Sequence, residues 1–242
     1  MSGLRAELHI HSCLSPCADD DMTPADAAGM ARLAGADVAA LTDHNSAANC
    51  PAFFAACEAY GVVPVGGMEL TTAEEIHLVC LFPTLAAAMD FDRAVRPHRM
   101  RVKNRPEVFG RQILMDAQER PCGEEPFLLP PATDLPLEAA AALVAAHGGA
   151  AYPAHIDRPS GGLLAILGGF APRPRFAAAE VRDAAQLRAL ARRPDLAGVR
   201  LLTASDAHRL HEIGAAMAAL PIEPGEDAAV RQALIALLGR GG

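Results

Sequence analysis

Short apolar runs alternate with helical stretches along most of this chain, and that alternation most limits its fold. Residues 6–10 read as a strand. Thr23-Pro24-Ala25-Asp26 reads as a helix start, with Thr at the N-cap, Pro at the first helical position and an acid at N3. Ala27, Met30, Ala31 and Ala34 follow at helical spacing, and Gly35 ends the helix. Residues 38–41 form the next expected strand, 51–60 a helix stopping at Gly61, 62–65 a strand ending at Gly66-Gly67-Met68-Glu69, and 76–82 another strand. Further on, strands are expected at 150–154, 178–181 and 198–203, and helices at 136–146, 184–192, 211–220 and 226–238. Such a series predicts parallel βαβ units. Closed into a barrel, they place a site at the C-terminal ends of the strands.

Composition agrees with a packed α/β protein. Of 242 residues, 51% are hydrophobic, 4% aromatic and none Trp, so Ala, Leu and Val must fill the core. Disorder, collagen and coiled coil are excluded. The longest uncharged stretch, 139–156, contains two His, two Gly and a Pro, which argues against a membrane span. Residues 1–11 show no apolar leader segment, so a soluble, cytoplasmic protein is expected. Six Cys make no disulfide framework. A net charge of −8 opposes non-specific nucleic-acid binding by the whole surface. Residues 93–133 are irregular, with Pro at 97, 106, 121, 126, 130 and 131. Their first half is basic (Arg93, Arg96, Arg99, Arg101, Lys103, Arg105, Arg111). They read as an insertion carrying a hairpin or long loop in an otherwise single domain, 1–242. The run is either a lid that steers a polyanion or a solvated hairpin.

His and acidic residues fall where the strands end. His9-Ile10-His11 closes the first strand, and a spacing of two puts both imidazoles on one face. Asp43-His44 follows the second strand, Glu69 the third, His77 lies within the fourth, His155 closes 150–154, and Asp206-Ala207-His208 follows the last. Any one of these histidines would read as a hydrogen-bonded core residue; their coincidence at six strand ends reads as a metal site.

These stretches resemble the PHP family of metal-dependent phosphoesterases. The matching residues are Glu7-Leu8-His9-Ile10-His11-Ser12, Leu41-Thr42-Asp43-His44-Asn45, Gly67-Met68-Glu69-Leu70, Ile76-His77-Leu78, Pro153-Ala154-His155 and Ser205-Asp206-Ala207-His208. The resemblance implies a distorted (β/α)7 TIM-like barrel and two or three divalent ions (Mn, Zn or Fe). One would be held by His9, His11, Glu69 and Asp206. A second would share Glu69 and add His77 and His155. A third would take His44, His208 and an acid from the loop after the first strand. Counting back from Pro24 gives Asp19 for that acid, with Asp21 the alternative, because Pro16-Cys17-Ala18 looks inserted there. Asp43 would orient a ligand from behind.

The activity so implied is hydrolysis of a phosphate ester by metal-activated water. His9, His11, Glu69, His155 and Asp206 would act through the metals, and the substrate would be a small phosphorylated metabolite or nucleotide. Arg158, three after His155, and Arg209, beside His208, are the candidate phosphate ligands. Cleavage at nucleic-acid ends, favoured by the basic insertion, is the rival activity. A catalytically silent metal-binding module is the rival class. The amidohydrolase barrel also begins with HxH but gives no role to Glu69, His44 and His208. Cys13, Cys17 and Cys50 lie near ligand-bearing strand ends; they read as small buried hydrophobes, or, for Cys13-x3-Cys17, as a redox pair or soft metal site. Gly66-Gly67 and Gly161-Gly162 lack the context of a nucleotide-binding motif.

Overall fold

The computed structural model describes residues 3–159, 161–170 and 173–239. Its strands are β1 (Leu4–Ile10), β2 (Val38–Leu41), β3 (Val63–Thr71), β4 (His77–Phe82), β5 (Ile113–Met115), β6 (Pro121–Glu124), β7 (Ala150–Pro153), β8 (Ala178–Glu180), β9 (Arg200–Leu202) and β10 (Ala218–Leu220). Its α-helices are α1 (Pro24–Leu33), α2 (Cys50–Tyr60), α3 (Leu85–Val95), α4 (Pro106–Phe109), α5 (Leu137–Ala146), α6 (Leu163–Leu167), α7 (Leu187–Leu190) and α8 (Asp227–Gly239).

Local signals explain several boundaries. The Thr23 side chain caps α1 by accepting from the Asp26 N–H. Gly61 ends α2 in the left-handed region at φ 68°.

The main sheet runs β10-β1-β2-β3-β4-β7, and β8-β9 and β5-β6 form separate pairs. Alternate strand residues divide between two buried clusters. Leu8, Ala40, Leu81 and Tyr152 pack with Leu234 and Leu238 of α8. Ala39, Leu41, Cys80 and Phe82 pack with residues of α1, α2, α3 and α5. Both sheet faces are therefore dry, which is why the strands read as near-continuous apolar runs.

Not every strand is parallel. β3 runs on through Gly66 and Gly67 to Thr71, so Glu69 lies within the strand, and β4 folds back antiparallel with Thr71 opposite His77. The link 72–76 is too short for the crossover that a parallel partner needs. Gly67 is required there: a Cβ would collide with the Cys80 carbonyl of β4. The helix expected at 211–220 is also absent. A single 3-10 turn spans Leu210–Glu212, Gly214 takes φ 84°, and Ala218–Leu220 pairs antiparallel with the edge of β1. The helix expected at 184–192 is a 3-10 turn followed by the four-residue α7.

The curled sheet brings strand ends from the first and last thirds of the chain to one rim. β1, β2 and β3 are mutually parallel, so their C-terminal ends share that rim. Because β4 is antiparallel, its first residue, His77, lies there too; β7, antiparallel to β4, returns His155 to it. Single backbone bonds extend the curl past the sheet. The Ile156 N–H donates to the Glu180 carbonyl, and the His11 N–H to the Ala207 carbonyl. They tie β7 to β8 and the segment after β9 back to β1.

The middle of the chain forms a short arm. α4 and the β5-β6 hairpin lie over the loop after β1, where the Ile113 N–H donates to the Cys13 carbonyl and Asn49 bridges Ser12 to Met115.

Candidate metal centre

Glu69 is 1% exposed and sits at the middle of the rim. Five imidazoles surround its two oxygens. Oε1 faces His77 Nδ1 at 2.8 Å, His155 Nε2 at 3.0 Å and His9 Nε2 at 3.5 Å. Oε2 faces His44 Nδ1 at 2.9 Å and His11 Nε2 at 3.4 Å. Asp206 Oδ1 adds a second carboxylate, 3.5 Å from His9 Nε2 and 3.4 Å from His11 Nε2. Three groups have donor atoms within 4.8 Å of one another: His9, His11, Glu69 and Asp206; His44, Glu69 and His77; His11, His44 and His208.

Outer partners fix which nitrogen of each ring is bare. His9 Nδ1 donates to Glu180 Oε2 at 2.9 Å. Ser15 Oγ donates to Asp43 at 2.7 Å, so it accepts from His11 Nδ1 at 3.0 Å. The ring protons of both histidines thus point outward. Their Nε2 lone pairs face each other at 3.2 Å, an arrangement that needs a shared proton or a cation between them. His208 Nδ1 donates to the Asp206 carbonyl, leaving its Nε2 bare as well. His155 Nδ1 is buried without a hydrogen-bond partner, and His44 Nδ1, although 2.9 Å from Glu69 Oε2, is not aligned for a hydrogen bond to it. Crowded lone pairs and orphaned buried nitrogens beside two carboxylates fit divalent ions.

Electrostatics without a cation show the same tension. Burial opposes charge on His9, yet Glu180, Asp206 and Glu69 outweigh it and hold its pKa well above the ordinary value. Burial, together with the nearby His208 and His44, holds His11 well below it. Burial disfavours an ionised Glu69, but His77, His9 and His44 keep its carboxyl far below the usual range. Asp206 is likewise lowered, since burial is outweighed by His9 and His11. His155 and Asp206 also adopt positive φ, 28° and 51°, a backbone region unusual for such residues and frequent at functional sites.

The centre opens to a cavity of about 680 Å3 lined by His44, Glu69, His77, Asp206 and His208 together with Arg158, Arg182 and Arg209. Arg158 Nη1 lies 3.4 Å and Arg182 Nη1 3.6 Å from Asp206 Oδ2. Arg209 also reaches this wall but points at Asp19 (3.6 Å) and Glu212 (3.3 Å).

The structure brings together His9, His11, His44, Glu69, His77, His155, Asp206 and His208. It leaves Asp19 outside, 53% exposed beside Arg209, and Asp21 is exposed as well. Asp43 acts from behind, through Ser12 and Ser15. Cys17, read either as a small buried hydrophobe or with Cys13 as a redox pair or soft metal site, is exposed at the cavity wall with Sγ 3.2 Å from His44 Nε2. Burial would raise its thiol, but hydrogen bonds to His208 and His44 bring it down to about 6. Cys13 and Cys50 are buried, and burial pushes each thiol up to about 12. Glu180, Ser15 and Arg182 escaped the sequence reading. Glu180 and Arg182 stand at and just after a strand end, the one positional signal that could have found them. Ser15 offered none.

Residues 7–118 match the model of the PHP domain, a stretch that carries His9, His11, His44, Glu69 and His77. Over that stretch the chain is similar to the PHP family. No match was found among curated proteins. Among solved structures, the lesion-specific endonuclease PfuEndoQ from Pyrococcus furiosus is 18% identical, with a TM-score of 0.60 over 87% of this chain and 50% of that one. This chain thus spans about half the endonuclease's length. An amidohydrolase from Chromobacterium violaceum is 19% identical, with a TM-score of 0.59 over 89% and 92%. A protein described as a metal-dependent phosphoesterase from Bifidobacterium adolescentis is 18% identical, with a TM-score of 0.53 over 84% and 87%. At these identities the likeness is one of fold. No described helix is long and apolar enough to cross a membrane.

Proposed function

We propose that this chain is a metal-dependent phosphoesterase acting on a phosphate ester of a small metabolite or nucleotide. The observation that carries the reading is the meeting, in one cavity, of crowded imidazole and carboxylate donors with three arginines. His9, His11, Glu69 and Asp206 would hold one divalent ion. Glu69 would share a second with His77 and His155, to which His44 also lies close. His44 and His208 would contribute to a third. When bound, such ions supply Lewis acidity and lower the pKa of coordinated water.

The chain's own residues do the rest. Glu180 and Ser15 hold His9 and His11 in the tautomers that leave Nε2 bare. Arg158 and Arg182, now leaning on Asp206, are placed to turn toward a phosphate entering the cavity, with Arg209 at its edge. The closing bonds at Ile156 and His11 support a distorted seven-stranded barrel as the frame.

Cleavage at nucleic-acid ends is the second reading. It is favoured by Arg101, Lys103 and Arg105, exposed on the arm, with Arg101 over the Phe127 ring at 4.6 Å and Arg105 over Phe109 at 5.5 Å. The test is product release by Mn- or Zn-reconstituted protein from 5′-nucleotides, a bisphosphate nucleotide, histidinol phosphate and a single-stranded oligonucleotide. Chelator-sensitive phosphate from a small ester is expected. Mononucleotides from the oligonucleotide alone would replace the first reading by the second. Silence from fully metallated protein would contradict both.

A further inference from the structure

We propose that Cys17, rather than Asp19, completes a cation site with His44 and His208, giving one position of the centre a thiolate ligand and a preference for a soft divalent ion such as zinc. This inference rests on the proposed metal centre and adds a ligand of a different chemical class to it. Cys17 Sγ lies 3.2 Å from His44 Nε2, and Cys17, His44 and His208 line the same cavity. Those two histidines already belong, with His11, to one compact donor group. The Nδ1 of His208 is occupied by the Asp206 carbonyl, so the nitrogen left for a cation is Nε2.

The loop presents Cys17 and withdraws Asp19. The Cys13 N–H donates to the Met22 carbonyl, and the Ala18 N–H to that of Ser15. The Asp19 N–H donates to the His208 carbonyl, which fastens the Asp19 backbone beside the site while its side chain points out to Arg209. Gly110 of the arm packs against Pro16, with no room for a side chain, and holds the turn from above.

Thiolate with imidazole is a donor set for zinc or cobalt rather than magnesium or manganese. On binding, the thiol proton leaves to solvent as the S–metal bond forms. The remaining positions, built from imidazole and carboxylate, carry no such bias. One chain would then hold ions of two kinds.

Alkylation offers a test with an internal control. Cys17 and Cys122 are the exposed cysteines, whereas Cys13, Cys50, Cys57 and Cys80 are buried. Metal-free full-length protein would be treated with iodoacetamide with and without zinc, and both positions followed by peptide mass. Zinc is expected to slow labelling of Cys17 on the order of tenfold or more and to leave Cys122 unchanged. Cobalt loading should give a thiolate-to-cobalt charge-transfer band in the ultraviolet. Cys17→Ser should lose that band and one tight metal equivalent, and Asp19→Asn should keep both. Unchanged labelling of Cys17 in protein shown to hold metals would overturn the inference and leave the centre standing, as would protection without the charge-transfer band. Absence of any bound metal would overturn both.

Discussion

The rim centre and the basic stretch 93–111 resolve their charge in opposite ways. On the stretch, most arginines have partners. Arg93 pairs with Asp90, Arg96 and Arg99 with Asp92, and Arg111 with Glu124 and Asp20. Only Arg101, Lys103 and Arg105 show no ion pair among the described residues. At the rim, two carboxylates are shared among too many imidazoles, with lone pairs facing one another in a dry setting. Satisfied surface charge serves solubility and local structure, while buried charge left unsatisfied marks where a ligand belongs.

The largest effect should follow loss of Glu69. Glu69→Gln removes half the negative charge of the two carboxylates that the imidazoles share. Steady-state hydrolysis should fall by more than about a hundredfold, with loss of bound metal. Turnover equal to that of the parent would break the comparison at its centre.

Glu7 tests burial without a cation. Burial raises its carboxyl to about 7 despite hydrogen bonds from the Ser205 and Gly214 N–H groups, with Glu180 adding to the rise. A raised folded pKa means the contribution is full below about 4.5, the unfolded value, and is lost as pH rises through about 7. In denaturant melts of metal-free protein, the parent should lose about 3 kcal/mol over that window relative to Glu7→Gln. Parallel pH profiles for the two would show that Glu7 does not titrate in this way.

Glu180→Gln should weaken metal affinity about 10–100-fold, because His9 would lose the acceptor that fixes its tautomer. Calorimetric titration measures it. Arg158→Ala and Arg182→Ala should raise KM about tenfold each with less change in kcat, since both line the cavity and neither offers a metal-ligating atom. The smallest effect belongs to the paired stretch: Arg111→Ala should leave the urea-unfolding midpoint nearly unmoved and small-ester kinetics unchanged, because an exposed ion pair contributes little.

Some of this was readable along the chain and some was not. His9 and His11 were legible because a spacing of two at a strand end is a local signal. The direction of β4 was not, because a β3 read as stopping near Gly66-Gly67 hides how short the link is; a link of 72–76 excludes a parallel crossover. The run 215–220 has helical composition, but backbone groups along the β1 edge needed partners and took Ala218–Leu220 as a strand. Glu180 was invisible because its partner, His9, is 171 residues away, and no motif joins them. In the loop after β1, counting back from Pro24 lands on Asp19, whose side chain faces Arg209, while the side chain beside His44 is that of Cys17.

Metal stoichiometry tests the central claim most directly. Chelator-stripped protein would be reconstituted, desalted and assayed for bound metal by elemental analysis, alongside Glu69→Gln. The account predicts at least two divalent ions per chain in the parent and loss of at least one in the variant. A parent that retains none, or a variant that retains all, would contradict it.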